Sequence, residues 1–89
     1  MREIKATNRF LRDLRLARKR GKDPAKIEAV IDTLARGDRL APRLRPHRLQ
    51  GEMRGLFECH VEPDWLLVWD ENERQVILIR TGTHADLFD

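Results

Sequence analysis

The stretch from Gly55 to Trp69 constrains this chain most. Phe57, Cys59 and Val61 alternate with Glu58, His60 and Glu62, Pro63-Asp64 interrupts the alternation, and an apolar run restarts at Trp65. A period of two, a proline-acid pair and a second β-rich run predict two strands joined by a tight turn. A histidine, a carboxylate and an indole are thereby gathered around one bend. His47 precedes this hairpin and His84 follows it, so all three histidines of the chain sit in or beside it.

The rest of the chain supplies a cover for the hairpin. Arg2 to Ala6 has Ile4 as its only large apolar residue, which suits an edge strand or an extended arm. Thr7 or Asn8 can cap a helix with Phe10, Leu11, Leu14 and Ala17 on one side and Arg9, Arg12, Arg15 and Lys19 on the other. Gly21 stops it after Arg18-Lys19-Arg20, whose charges complement the dipole at that end. Asp23-Pro24, a cap residue followed by proline at the first helical position, starts a second helix. Its stripe is Ile27, Val30, Ile31 and Leu34, and Gly37 ends it. So short a connection predicts a helix hairpin with both stripes facing one core.

Asp38 to Arg54 is broken by Pro42, Pro46 and Gly51 and crowded with arginine, which predicts a basic loop with a short strand near Leu49. After a polar turn at Asp70 to Arg74, Gln75 to Arg80 is apolar on both sides, as expected of a central strand covered on both faces, or covered on one and carrying a binding surface on the other. Thr81 to His84 reads as a turn and Ala85 to Asp89 as a short tail. The order predicts an α+β fold of two layers. The N-terminal helix hairpin packs on one face of a mainly antiparallel sheet of about four to five strands. At 89 residues the chain is expected to form a single domain around one core.

Charge is unevenly spread. Residues 1–57 hold 16 Lys/Arg against 7 Asp/Glu, a balance of +9, whereas residues 58–89 hold 2 against 8, a balance of −6. A basic majority suits a polyanionic partner such as RNA, DNA or an acidic protein segment, because neutralising phosphates yields sequence-independent affinity. A solvated arginine-rich surface explains the same composition. The single cysteine, Cys59, excludes an intramolecular disulfide and falls on the apolar side of its strand, pointing to a reducing, cytoplasmic setting. No apolar run is long enough to cross a bilayer as a helix, and Met1-Arg2-Glu3 leads into a charged segment, not a signal peptide. A soluble protein that is not exported and meets no membrane is expected.

The chemistry open to these residues is narrow. A zinc site wants clustered ligands such as CxxC or HxxxH, and neither occurs. Cys59 and His60 are adjacent on a strand and so point to opposite faces, which leaves the thiol without a base. The chain contains no serine, which excludes serine triads. Acid-base chemistry by histidine and carboxylate remains, since histidine titrates nearest neutrality and a pair can accept one proton and donate another. A natural use is RNA cleavage, in which a base deprotonates a ribose 2′-hydroxyl for in-line attack on phosphorus and an acid protonates the departing 5′-oxygen. His47, His60, Asp64 and His84, with Trp65 and Phe88 beside them, supply the groups and aromatic surfaces that reaction needs. The same residues also fit a plainer reading: hydrogen-bonded surface histidines, a turn aspartate, core tryptophans and an anchored tail.

Three blocks in order add to this. His47-Arg48-Leu49-Gln50-Gly51, His60-Val61-Glu62-Pro63-Asp64-Trp65 and Arg80-Thr81-Gly82-Thr83-His84-Ala85-Asp86-Leu87-Phe88 closely resemble the signature of YafQ-like toxins, a branch of the RelE/ParE superfamily. The likeness runs from the first helix to the C-terminus, with its specific part in the last half. It implies a single RelE-like toxin domain over residues 1–89, the toxin of a bacterial type II toxin-antitoxin pair. The implied activity is ribosome-dependent, metal-independent endoribonuclease cleavage of mRNA in the decoding site, with no cofactor. By this resemblance His47, His60, Asp64 and His84 are catalytic, and Trp65 and Phe88 bind substrate. Our assignment makes His84 the general acid, His47 or Asp64 the base or its positioner, and His60 the phosphate ligand.

The implied partners are a cognate antitoxin protein, ribosomal RNA and mRNA, with operator DNA reached only through the antitoxin complex. The basic first helix and the Arg39 to Arg54 loop would dock on the ribosome, and an acidic patch in the C-terminal part is compatible with a basic antitoxin helix. Val61 and Trp69 are conservative departures, standing where isoleucine and tyrosine are common or accepted. Two alternatives keep the same fold. A ParE-like gyrase inhibitor has no need of three histidines around one groove, and a non-catalytic ribosome- or RNA-binding module would survive loss of His84.

Overall fold

The computed structural model describes residues 1–89. In chain order the elements are β1 (Glu3–Ala6), α1 (Asn8–Lys19), α2 (Pro24–Arg36), β2 (His47–Arg48), β3 (Phe57–Glu62), β4 (Trp65–Glu71), β5 (Gln75–Gly82) and α3 (His84–Phe88). Single 3-10 turns at Pro42–Leu44 and Gly51–Met53 interrupt the loop before β3. The strands form one sheet in the order β1-β5-β4-β3-β2. β1 runs parallel to β5, and every other neighbouring pair is antiparallel.

The helix hairpin starts and stops where its cap residues require. The Thr7 side chain accepts from Phe10 N at 3.0 Å and Asp23 from Ala25 N at 3.0 Å, each satisfying a donor that the first helical turn leaves free. Gly37 takes the left-handed conformation at φ 76, and the N–H groups of Gly37 and Asp38 close on Leu34 O and Thr33 O. Phe10 and Ala17 from α1, with Ile27, Val30 and Leu34 from α2, pack on Cys59, Trp65, Leu67, Trp69, Val76 and Leu78 of the sheet. Each large side chain so buried contributes on the order of 2 kcal/mol. Leu11 departs from the expected stripe and is 43% exposed. Phe10, Leu14 and Ala17 already define the seam at spacings of four and three, and Leu11 lies about 100° around the helix from Phe10.

The opposite face of the sheet is covered as well. Leu66 and Val68 of β4 pack with Leu87 of α3, flanked by Leu49, Leu56 and Ile79. β4 is therefore buried at five successive residues, Trp65 to Trp69, whereas β5, a central strand as expected, buries Val76 and Leu78 in the helix-side core and keeps Ile77 and Ile79 half-exposed. The C-terminal tail is a helix, and the expected turn at Thr81 is strand as far as Gly82. Thr83 and Asp86 account for that helix by forming a capping box: the Thr83 hydroxyl accepts from Asp86 N and the Asp86 carboxylate accepts from Thr83 N.

Candidate active site

Two strands, one turn and one short helix carry the candidate residues. His47 on β2 stands opposite Glu58 on β3. His60 follows on β3, and the rings of His47 and His60 lie 6.5 Å apart. The register shifts between His60 and Glu62, and this bulge parts two side chains that strict alternation would align. Glu62 turns to Lys22 and Lys26 at 2.7 and 2.6 Å, while His60 stays beside His47 with Nδ1 3.2 Å from Pro63 O.

The β3–β4 turn carries the arrangement across to α3. The Asp64 carboxylate accepts from His84 N at 2.9 Å, and the His84 ring lies 5.1 Å from that of Phe88 one helical turn on. His47, Asp64, His84 and Phe88 are all exposed, Phe88 at 39%, and His60 is half-buried. One group thus pairs two histidines, and the other sets a carboxylate-tethered third histidine beside an accessible aromatic ring. Such a set can bind a phosphate, exchange protons with it and stack a base.

Trp65 requires a correction. It is 2% exposed and part of the helix-side core, with its indole N–H donated to Thr81 Oγ1 at 2.9 Å. Thr81 Oγ1 in turn donates to Leu66 O at 2.6 Å. Trp65 is a strut under the Asp64 turn and offers no face to a substrate. Arg80, within the third block, is also committed: its guanidinium donates twice to Asp13 at 2.8 and 3.3 Å, and Asp13 also accepts from Thr81 N.

Sequence reasoning passed over Glu58, Arg20 and Asp86. The alternation assigns Glu58 to the polar side of β3, yet it is 5% exposed, because Leu49, Leu56, Val68 and Leu87 make that side a second packed layer. Arg20 at the end of α1 donates to both Asp86 oxygens, at 2.6 and 3.3 Å, and so ties α3 to the helix layer. That guanidinium, followed by the Thr83 N–H, holds the Asp86 carboxyl well below the usual carboxylate range. A Cβ on Gly82 would come within 2.9 Å of Asp86 Oδ2, so the approach of α3 to β5 needs glycine there. The T-x-x-D spacing of Thr83 and Asp86 was a legible signal; Arg20 and Glu58 carried none.

The electrostatics narrow the chemistry further. Burial, and secondarily the charge of Glu58, pushes the Cys59 thiol up to about 12, so it is no nucleophile. Of the eight carboxylates in residues 58–89, three are paired with Lys or Arg from the basic part of the chain: Glu62 with Lys22 and Lys26, Asp86 with Arg20, and Glu71 with Arg2. Asp64, Asp70, Glu73 and Asp89 stay exposed outside these pairs. Beside His60 a groove of about 220 Å³ is lined by Arg43, Arg45 and Pro63. Two larger concavities, of about 680 and 790 Å³, lie away from the histidines around Arg39, Leu40 and Ala41. No group of three or more His, Cys, Asp or Glu residues is placed to hold a metal ion.

Comparison with known families supplies the class, the toxins of bacterial type II toxin-antitoxin systems. Residues 2–89 match the family described as "Bacterial toxin of type II toxin-antitoxin system, YafQ". The mRNA interferase toxin YafQ of Escherichia coli K12 is 36% identical over 88 residues, covering 98% of this chain and 96% of the relative. The toxin in the crystal structure of the E. coli DinJ-YafQ toxin-antitoxin complex superposes with a TM-score of 0.92 at 36% identity, over 99% of this chain and 98% of that one. A metal-bound toxin from Helicobacter pylori matches with a TM-score of 0.92 at 36% identity, over 99% and 100% of the two chains. The chain belongs to the YafQ family of type II toxins.

Proposed function

We propose that this chain is an mRNA endoribonuclease, the toxin of a type II pair, acting as one RelE-like domain in the cytoplasm on mRNA held by the ribosome. The observation that supports the reading is the sheet register, which aligns His60 with Leu66 and Leu66 with Gly82, two residues before the His84 that Asp64 tethers. The activity of the E. coli relative, named an mRNA interferase, supports it.

In the proposed reaction a base takes the proton of a ribose 2′-hydroxyl as O2′ attacks the adjacent phosphorus; His47 is not that base, since Arg45 O holds its Nδ1 and Glu58 Oε1 its Nε2. His84 donates a proton to the departing 5′-oxygen, leaving a 2′,3′-cyclic phosphate and a 5′-hydroxyl. His60, with Arg43 and Arg45 along its groove, balances charge on the phosphorus-bound oxygens. Asp64 acts as positioner, since its carboxylate is engaged by the His84 backbone, and Phe88 stacks a base. None of these steps uses a metal. The exposed basic residues of α1, among them Arg12, Arg15 and Lys19, and those of the 39–54 segment form the face toward ribosomal RNA. A cognate antitoxin is the protein partner, as DinJ is for the E. coli toxin, and operator DNA is reached through that complex.

The test is mapping of mRNA 5′ ends after brief expression of the unaltered chain and of His84→Ala. New codon-periodic ends should arise only when His84 is present, and cleavage by purified toxin on programmed ribosomes should persist in a chelator. Growth arrest without new ends from either chain would reject mRNA cleavage and direct attention to gyrase or to a non-catalytic ribosome block.

A further inference from the structure

The helix that carries His84 has little of its own to hold it. α3 is five residues long, far short of the length at which a helix stands alone in water, and it buries one side chain, Leu87, against Leu66 and Val68. A single apolar contact fixes a point on a helix and leaves rotation about that point open. The remaining constraint comes from two polar ties, one at His84 itself and one two residues on.

The first is the Asp64 carboxylate, which accepts from His84 N at 2.9 Å. The second starts at Arg20, the residue that caps the C-terminal end of α1. Its Nη1 and Nη2 donate to Asp86 Oδ2 and Oδ1 at 2.6 and 3.3 Å, and Asp86 Oδ2 also accepts from Thr83 N at 2.9 Å. The capping box thus orients the carboxylate that the guanidinium meets. A two-bond fork to an oriented carboxylate restricts angle as well as distance, which a single ammonium contact would not. The two ties reach α3 from different elements, the β3–β4 turn and the end of α1, and together they set both the place and the rotation of His84. The Arg20 side chain is 43% exposed, and an ion pair so exposed adds little to global stability, so its consequence is local.

We infer that Arg20 and Asp86 are positioning residues for the cleavage reaction: acting as one unit, they hold His84 where its ring delivers a proton to the departing 5′-oxygen. The inference rests on the nuclease reading of this site. Neither group touches the reacting atoms, and their influence passes through the backbone of α3. Arg12, Arg15 and Lys19, the proposed ribosome contacts of the same helix, take no part in it.

The test compares Asp86→Asn, which keeps an acceptor for Thr83 N but removes the charge, with Arg20→Gln, the double variant and Arg20→Lys. On programmed ribosomes kcat should fall about tenfold in each of the first two and no further in the double variant, with KM within about twofold of the unaltered chain. Arg20→Lys should recover part of the loss. Melting temperatures should stay within about 4 °C, while the ¹⁵N resonances of the His84 ring move and those of His47 and His60 stay. Unchanged kcat in Asp86→Asn, losses that multiply in the double variant, or an undisturbed His84 ring would each overturn the inference. So would a raised KM with unchanged kcat in Arg20→Gln, which would make Arg20 an RNA contact. If the unaltered chain cuts no mRNA, the nuclease reading falls, and the His84 resonances still decide whether the Arg20–Asp86 pair holds that ring.

Discussion

The Asp64 carboxylate accepts the backbone N–H of His84 at 2.9 Å, so the turn between β3 and β4 and the start of α3 move as one piece. Twenty residues of chain separate these partners, and the bond sets where His84 stands relative to the His47–His60 pair. If Asp64 acts through this bond, an acceptor of the same shape should largely replace it. Asp64→Asn is expected to keep cleavage within about tenfold of the unaltered chain, and Asp64→Ala to lose about 10²-fold through misplacement of His84. Single-turnover cleavage rates check this, and equal losses in the two variants would point instead to a proton-transfer role for the carboxylate.

The two aromatic residues suggested for substrate binding should separate cleanly. Trp65 is core, so Trp65→Phe should cost about 1–3 kcal/mol of stability through a lost ring and a Thr81 hydroxyl that keeps its bond to Leu66 O but loses its donor, measurable by denaturant titration. Phe88 is 39% exposed, so Phe88→Ala should leave stability within about 0.5 kcal/mol while lowering cleavage. A large loss of stability in Phe88→Ala would show that its ring is chiefly a structural anchor.

Glu62 gives the fold a dependence on acid. Lys22 and then Lys26 lower its carboxyl from the ordinary 4.5 to about 2. A carboxyl with a depressed folded value contributes stability that is fully present above its unfolded value and is lost as pH falls through the folded one. The gap in melting temperature between the unaltered chain and Glu62→Gln should therefore be constant above about pH 5 and close between about pH 4.5 and 2. The gap should be small, because the pair is solvent-accessible and screened, and added salt should shrink it further. A gap that widens in acid would contradict the assignment.

Much of the fold was legible because its signals are local. Thr7, Asp23 and Gly37 cap helices through bonds to residues two to four positions away, and the alternation of Phe57, Cys59 and Val61 is a property of a single strand. His47, Asp64 and His84 lie at element boundaries marked by turn chemistry, Pro46, Pro63-Asp64 or Gly82-Thr83, whereas His60 lies within β3. The short helix α3 was missed as a helix although its Thr83 and Asp86 spacing was present, because five residues are too few for an apolar period.

The sequence by itself determined the helix hairpin, the β3–β4 hairpin and the mainly antiparallel sheet, and it singled out the candidate residues. Tertiary structure alone decided which of them face outward and what holds them there. β1 pairs in parallel with β5 across some seventy residues, Asp13 claims Arg80, Arg20 claims Asp86, and a second apolar layer buries Glu58 beside His47. The physical reason is common to all four. Burial and charge pairing are properties of surfaces brought together by the packed sheet, and no periodicity within one segment encodes the identity of its neighbour across the fold.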